Sequence, residues 1–358
     1  LPTATRFDRH PYLLHAGVGS HYQARRGRPS LSNLDTMNAI LVHQTGGPEV
    51  LEWETAQPRE VGSEQIRVST VAAGVNFVDT YHRRGIYPLE LPFVPGLEGS
   101  GIVEEVGSRV TGFSPGDRVA WTDQLGSYSE KVVIDADRAV AVPEHTSLMD
   151  AAAMMLQGIT AHYLATDTFR LRSGHRCLIH AGAGGVGRLL IQLARRVGAE
   201  VFTTVSTPEK ARLAGEAGAT HVINYREVDF VEAVEQIAGE RSLDVVYDGV
   251  GATTFDKGLT LLKPRGLMAL FGQSSGVVPP FDLGALSRLG SLYVTRPTMG
   301  SYISSGSELR TRTDQLFSLI SSGELEITID RTMPLGEAAS AHRALEGRMT
   351  AGKILLVP

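Results

Sequence analysis

The sequence predicts an α/β protein: a doubly wound parallel sheet joined to a mostly β domain. Three observations predict it. A glycine-rich stretch, HAGAGGVGRLL at 180–190, ends an apolar run and opens a helical repeat. Apolar runs alternate with helical patterns after residue 145, whereas short runs broken by glycine and proline fill the chain before it. At 358 residues the chain also exceeds what a single compact core usually holds.

Along the chain, the first 36 residues stand apart. Arg6, Arg9, Arg25, Arg26 and Arg28 face only Asp8 and Asp35, with no sustained period. Such a leader reads as a disordered extension or, alternatively, as part of a transit peptide. From Met37 the runs MNAILVHQ, VLEWETA, EQIRVSTVAAGV, SGIVEEVG, DRVAW, YSEKVVI and RAVAVP are strand-like, and GGPE, SPGD and LGS supply turns. NFVDTYHRRG at 76–85 reads as a helical turn between them. AAAMMLQGITAHYLA at 151–165 is interrupted by Gln157 and His162 and is shorter than the roughly 20 apolar residues of a membrane span, so it predicts a buried helix. HRCLIHA is then a strand. Val186, Leu189, Leu190, Leu193, Ala194 and Val197 recur at helical spacing, with Gly198 as the stop. EVFTTV, THVI, LDVVYD, GLMALF and SLYVT continue the strands, with helical patterns between most of them. A mixed segment ends in KILLVP, which is expected to rejoin the first domain.

Composition narrows the function. A net charge of −5 offers no footprint for nucleic acid or an anionic membrane. The single cysteine, Cys177, excludes an intrachain disulfide and a cysteine-built zinc site, and suits a reducing cytoplasm. Trp53 and Trp121 read as core or rim packing.

Gly182, Gly184 and Gly187 form G-x-G-x-x-G between strand and helix, with Gly185 and Val186 opening that helix. The first glycine permits the tight turn, the second lets backbone approach pyrophosphate, and the third lets helix pack on strand. A turn without a ligand is the plain alternative. NAD-preferring chains place an acid about 20 residues on, to accept from the ribose; here that position is Ser206. Thr207 and Pro208 read as an N-cap and first helical residue, followed by Lys210. A lysine in a first turn opposes the helix dipole unless an anion is bound, so NADPH is expected over NADH; a solvated lysine offset by Glu209 is the alternative.

GGPEVLEW, GVNFVDTYHRRGIYP, PGLEGSGIVEEVG, GDRVAW, HAGAGGVG, INYRE, DVVYDGVG and GSLYVTRP, in this order, closely resemble the NADPH:quinone oxidoreductases, the zeta-crystallin-like branch of the medium-chain dehydrogenase/reductase superfamily. The resemblance runs from about Met37 to Pro358. It implies a GroES-like catalytic domain from 37–160 and 300–358 and a Rossmann domain from 161–299, with 1–36 as an extension. It places Asn76 and Asp79 near the nicotinamide, Tyr81 and Tyr87 along the acceptor slot, and Gln157 where zinc-dependent relatives hold a metal ligand. Asn76 and Tyr81 are candidates to contact the acceptor oxygen, Tyr81 equally a packed core tyrosine; Asp79 orients its neighbours. Tyr225 and Arg348 resemble residues that join Lys210 around the 2′-phosphate. Phe271, Gly272, Ser274 and Ser275 follow a sheet strand at its carboxyl edge, where ligands bind. His180 reads as a satisfied histidine.

The positions of the zinc ligands in that superfamily correspond to Asn76, Leu97 and Gln157, the four-cysteine lobe is absent, and the histidines show no paired metal spacing, so no metal is expected. Without a Lewis acid the acceptor must already be electrophilic, and a quinone fits. Reduction of an activated double bond in an enone or alkenal is the nearest alternative; an RNA-binding or structural, crystallin-like role is the alternative from another class. In the resembling family the strand at 290–297 pairs across a two-fold axis, so a homodimer is expected.

Overall fold

A computed structural model of the chain describes residues 36–358, so the expected extension over 1–36 lies outside the described residues but for Thr36. The mostly β domain starts with a hairpin, β1 (Met37–Leu41) against β2 (Glu52–Ala56). Its central strand is β3 (Gln65–Val75), where half-buried and buried residues alternate until the last four, all buried. Helix α1 (Phe77–Arg83) follows directly, started by Asn76 in extended conformation. Then come β4 (Glu98–Val106), β5 (Arg118–Thr122), β6 (Lys131–Asp135) and β7 (Ala139–Ala141). β3 pairs antiparallel with both β4 and β6. Trp121 lies wholly inside this sheet's core and donates from Nε1 to Ser127 Oγ at 2.9 Å, whereas Trp53 is an exposed rim residue.

Helix α2 (Leu148–Tyr163) begins at Ser147, whose hydroxyl accepts from Asp150 N at 3.0 Å, and continues into a π-helical turn at 164–168. It is apolar on nearly every side because it is packed between the domains. Met154 and Met155 are wholly buried, each worth about 2 kcal/mol of apolar burial.

The strand–helix alternation follows: β8 (Arg176–Ile179), α3 (Gly185–Arg196), β9 (Glu200–Val205), α4 (Pro208–Glu216), β10 (His221–Asn224), α5 (Phe230–Ala238), β11 (Leu243–Asp248), α6 (Phe255–Thr260), β12 (Leu262–Leu270), α7 (Gly284–Arg288) and β13 (Tyr293–Thr295). The strands form one parallel sheet in the order β10-β9-β8-β11-β12-β13. Strand order reverses between β8 and β11, and the crevice outside their carboxyl ends is where such sheets take ligands. Gly198, at φ +79°, ends the α3 segment.

Four further elements return to the first domain. α8 (Gly306–Ser321) packs on α2, with Leu316 seated beside Gly158. Then β14 (Ile329–Pro334), α9 (Ala338–Glu346) and β15 (Lys353–Val357) follow. The KILLVP segment pairs antiparallel with β3, as its apolar run predicts, and β14 adds a parallel edge beyond it. The largest core is continuous across α2, α3, α8 and both sheets. Among the described residues no helix is long and apolar enough to cross a membrane.

Candidate functional site

The glycine-rich loop sits at the carboxyl end of β8. Gly182 is pressed against Thr203, where a β-carbon would overlap the hydroxyl, and Gly187 lies on the carbonyl of Ala181. Gly184 caps α3 in extended conformation, and Val186 is partly buried in its first turn. A β-carbon on Gly185 would overlap the carboxamide of Gln157, which reaches across from α2. The backbone N–H groups at the start of α3 thus lie at a helix terminus of the kind that suits an anion. His180, beneath the loop, is only half satisfied: Nδ1 bonds Thr204 Oγ1 at 2.9 Å, but Nε2 is buried without a partner, and burial lowers its pKa. Sequence reading took it as satisfied; the ring instead meets Phe230 edge-on, which offers no acceptor.

At the end of β9, Ser206 is buried and Thr207 caps α4, accepting from Lys210 N at 3.2 Å. Lys210 Nζ donates to the carbonyl of Arg348 at 2.7 Å, and Arg348 Nη1 donates to Tyr225 Oη at 3.3 Å. Arg348 has φ +56°, a left-handed conformation that turns the chain after α9 toward α4. Partial burial, Arg348 and Arg226 all lower the Lys210 pKa, partly offset by Asp330. Cations gathered against their own repulsion suit an anion. Sequence reading missed Arg226, which stands beside Tyr225 in INYRE.

Across the crevice, the loop after β12 packs on the loop after β11. Phe271 N and Gly272 N both donate to the carbonyl of Asp248, at 2.8 and 3.2 Å, and Ser274 N donates to that of Gly249 at 3.2 Å. Ser275 donates from N and Oγ to the carbonyl of Val250, both at 2.8 Å. Gly272 has no room for a β-carbon against Gly249. The Asp248 carboxylate accepts from Val250 N, Gly251 N and Thr254 Oγ1, bracing the β11 side.

The facing wall is α1. Tyr81 is buried, its ring edge-on to Tyr87 at 5.3 Å, and its carbonyl accepts from Ile86 N and Tyr87 N. Arg296, in the TRP segment after β13, donates to the carbonyl of Leu270 at 2.9 Å and to Tyr87 Oη at 3.5 Å. It brings a guanidinium to the acceptor side that sequence reading did not assign.

Asn76 is held at both ends of its carboxamide. Nδ2 donates to Glu98 Oε1 at 2.6 Å, and Oδ1 accepts from Lys353 Nζ at 2.8 Å. Its second N–H makes only a 3.5 Å approach to the carbonyl of Gly74. Lys353 and Glu98 form an ion pair, both essentially unexposed, and Glu98 Oε2 also accepts from Leu156 N at 2.6 Å. A cavity of about 10 Å³ lies between Lys353, Gln157 and Gly185. Sequence reading missed the pair. A carboxylate amid the glycines of PGLEGSG was the available signal, but nothing local named its partner.

Asp79 is wholly buried. Its Oδ2 accepts from Asn76 N at 2.8 Å and from Tyr128 Oη at 3.0 Å, while Oδ1 has no partner. Burial is the largest influence and lifts its pKa to about 7, against the opposing hydrogen bonds and Lys353. The carboxylate therefore orients its neighbours, tying the start of α1 to Tyr128.

The residues standing in zinc-ligand positions do not fit zinc: Leu97 is a buried aliphatic side chain, and Asn76 is an amide already bonded to Glu98 and Lys353. Among the described residues the histidine spacing has one exception in space. His43, Glu52 and Glu54 come together because β1 and β2 fold back on each other, but His43 and Glu52 are exposed, Glu54 is half-buried, and His43 is paired with Glu54 at 2.7 Å.

Two family models match: "Alcohol dehydrogenase GroES-like domain" over residues 62–144 and "Zinc-binding dehydrogenase" over 185–320. A quinone oxidoreductase of Pseudomonas aeruginosa is 46% identical over 87% of this chain and 97% of its own length. A 2-haloacrylate reductase of a Burkholderia species is 43% identical over 89% and 98%. The crystal structure of Escherichia coli quinone oxidoreductase complexed with NADPH superposes with a TM-score of 0.88 at 44% identity, over 90% of this chain and all of that one.

Proposed function

Because this chain belongs to the quinone oxidoreductase family of the medium-chain dehydrogenase/reductase superfamily, we propose that it reduces a quinone with NADPH by hydride transfer without a metal. The observation that carries this reading is the pairing of an open helix terminus and a cationic cluster on one side of a crevice with a metal-incompetent polar wall on the other.

Residues 161–299 are taken as the nucleotide domain, and 37–160 with 300–358 as the domain that receives the acceptor. Gly182, Gly184, Gly185, Val186 and Gly187 hold the pyrophosphate at the α3 terminus. Ser206, Lys210, Tyr225 and Arg348 hold the 2′-phosphate; Lys210 and Arg348 reach it by exchanging their present neutral acceptors for an anion. Phe271, Gly272 and Ser274 flank the nicotinamide on the sheet side, and Gln157 fills the space beside Gly185. Bound in this way, NADPH supplies the hydride.

The protein's task is then positioning and charge stabilisation. The remaining Asn76 N–H, Tyr81, and Tyr87 backed by Arg296 supply donors to the acceptor oxygen, and Asp79 holds the α1 terminus that carries Asn76. A quinone spreads the added charge over a ring, so solvent can protonate it. Reduction of an activated double bond is the second reading, favoured by the 2-haloacrylate reductase among the relatives. The acidic overall charge argues against RNA as the main ligand. We further propose a homodimer through 290–297, where Tyr293 and Val294 are exposed on the sheet's edge strand, and action in the cytoplasm, in keeping with one buried thiol and no disulfide.

Turnover on a panel of quinones and a panel of enones, with NADPH in both, separates the two readings. Higher kcat/KM on quinones supports the first; activity confined to enones overturns it.

A further inference from the structure

Five polar side chains form one continuous chain through the mostly β domain, from Glu346 at its edge to Asp79 beside Asn76. Glu346 receives a bidentate pair from Arg83, with contacts of 2.9 to 3.0 Å. Arg83 Nη1 also meets His342 Nδ1 at 3.0 Å, His342 Nε2 meets Tyr128 Oη at 3.2 Å, and Tyr128 donates to Asp79 at 3.0 Å. Arg83, His342, Tyr128 and Asp79 are each at most 1% exposed.

The donors run one way. Arg83 can only donate, so His342 Nδ1 accepts and Nε2 carries the proton, which it gives to Tyr128; the tyrosine hydrogen is then directed at Asp79. The His342 ring is neutral, since burial and then Arg83 hold its pKa down at about 3. Helix α1 is therefore gripped twice, at its first turn through Asp79 and at its last through Arg83, and His342 on α9 joins the two grips. Between them lies Tyr81, whose carbonyl also fixes Tyr87.

Buried polar chains are costly where apolar packing would serve, so one that ends beside a reaction centre asks for a use beyond stability. We propose that Tyr128 and His342 are positioning residues for hydride acceptance, holding α1, and with it Asn76, Tyr81 and Tyr87, through Asp79. This rests on the quinone reductase reading. The groups facing Asp79 are Lys353 from β15, which favours its charge, Glu98 from β4, which opposes it, and the Tyr128 hydroxyl, whose hydrogen bond favours it. Loss of that hydroxyl leaves the carboxyl protonated to higher pH.

Tyr128→Phe, His342→Leu and His342→Gln test this in full-length protein. Glutamine can accept from Arg83 and donate to Tyr128, so it should preserve the chain. One charge-assisted hydrogen bond predicts that Tyr128→Phe lowers quinone kcat about tenfold at pH 7 and moves the acid limb of the kcat profile up by about one unit. NADPH affinity, read by fluorescence titration, should stay within about twofold, because only the acceptor wall is disturbed. His342→Leu should follow Tyr128→Phe, and His342→Gln the wild type. Unchanged kcat and profile in Tyr128→Phe, or equal losses in the leucine and glutamine variants, would overturn the proposal. If Tyr128→Phe fails to fold, the two His342 variants decide. A wild-type protein that turns over no quinone overturns the underlying reading instead.

Discussion

Lys353→Met should cost the folded protein about 3–5 kcal/mol, the usual result of breaking a buried ion pair and leaving one charge behind. The geometry sets the size. Glu98 is unexposed and would keep two hydrogen bonds, from Asn76 Nδ2 and Leu156 N, but no countercharge. Glu98→Gln strands the Lys353 ammonium in the same way and should cost a similar amount. The double variant Glu98→Gln/Lys353→Met buries no charge, and methionine fills most of the lysine's volume. Its loss should therefore be far below the sum of the singles, with a coupling energy of about 3 kcal/mol or more. Urea unfolding at pH 7 of the four proteins measures this, with equal m-values showing that the same transition is compared. A coupling energy under about 1 kcal/mol, the range of exposed pairs, would show that the pair is not a buried, mutually dependent one.

Three other outcomes follow from the same structure. Lys210→Glu should raise KM for NADPH by roughly 10- to 100-fold, the worth of a charge-assisted phosphate contact, and leave KM for NADH nearly unchanged; equal effects would remove Lys210 from the phosphate site. Burial holds His342 at about 3, below its ordinary 6.5, so the folded protein binds fewer protons than the unfolded chain between those values. This stability is present above pH 6.5 and is lost as pH falls, so His342→Gln should reduce the fall in unfolding free energy between pH 6 and 5 by about 1.2 kcal/mol. Asp79, held up at about 7, acts in the opposite sense over that range in both proteins and cancels from the comparison; an unchanged slope by denaturant titration would contradict the assignment. Val294→Pro should weaken the proposed dimer by removing a ladder donor from β13, and a monomeric wild type by light scattering at micromolar concentration would rule the dimer out.

The parallel sheet was readable because its signals are local. Most of its strands carry an apolar run, the longer helices repeat at 3.6, and Gly182, Gly184 and Gly187 fall at fixed spacing beside β8. Ser206 and Lys210 were readable for the same reason. Strand β14 was not, because IDRTMP sits on an exposed edge and carries neither alternation nor a continuous apolar run. The polar wall was only half visible. Asn76, Asp79, Tyr81 and Tyr87 share one short segment, but Lys353 is 255 residues from Glu98, Glu346 is 263 from Arg83, and His342 is 214 from Tyr128. Pairings at that distance leave no period in the chain; only the return of α9 and β15 to the first domain makes them.

Metal-free hydride transfer from NADPH to a quinone is tested most directly by single-turnover oxidation of NADPH by a simple quinone, using protein dialysed against a strong chelator and the cofactor with or without deuterium at the transferred position. Full activity after chelation, a slower rate with the deuterated cofactor, and a preference for NADPH over NADH are expected. Loss of turnover on chelation that zinc alone restores, or no oxidation by any quinone, would contradict this mechanism.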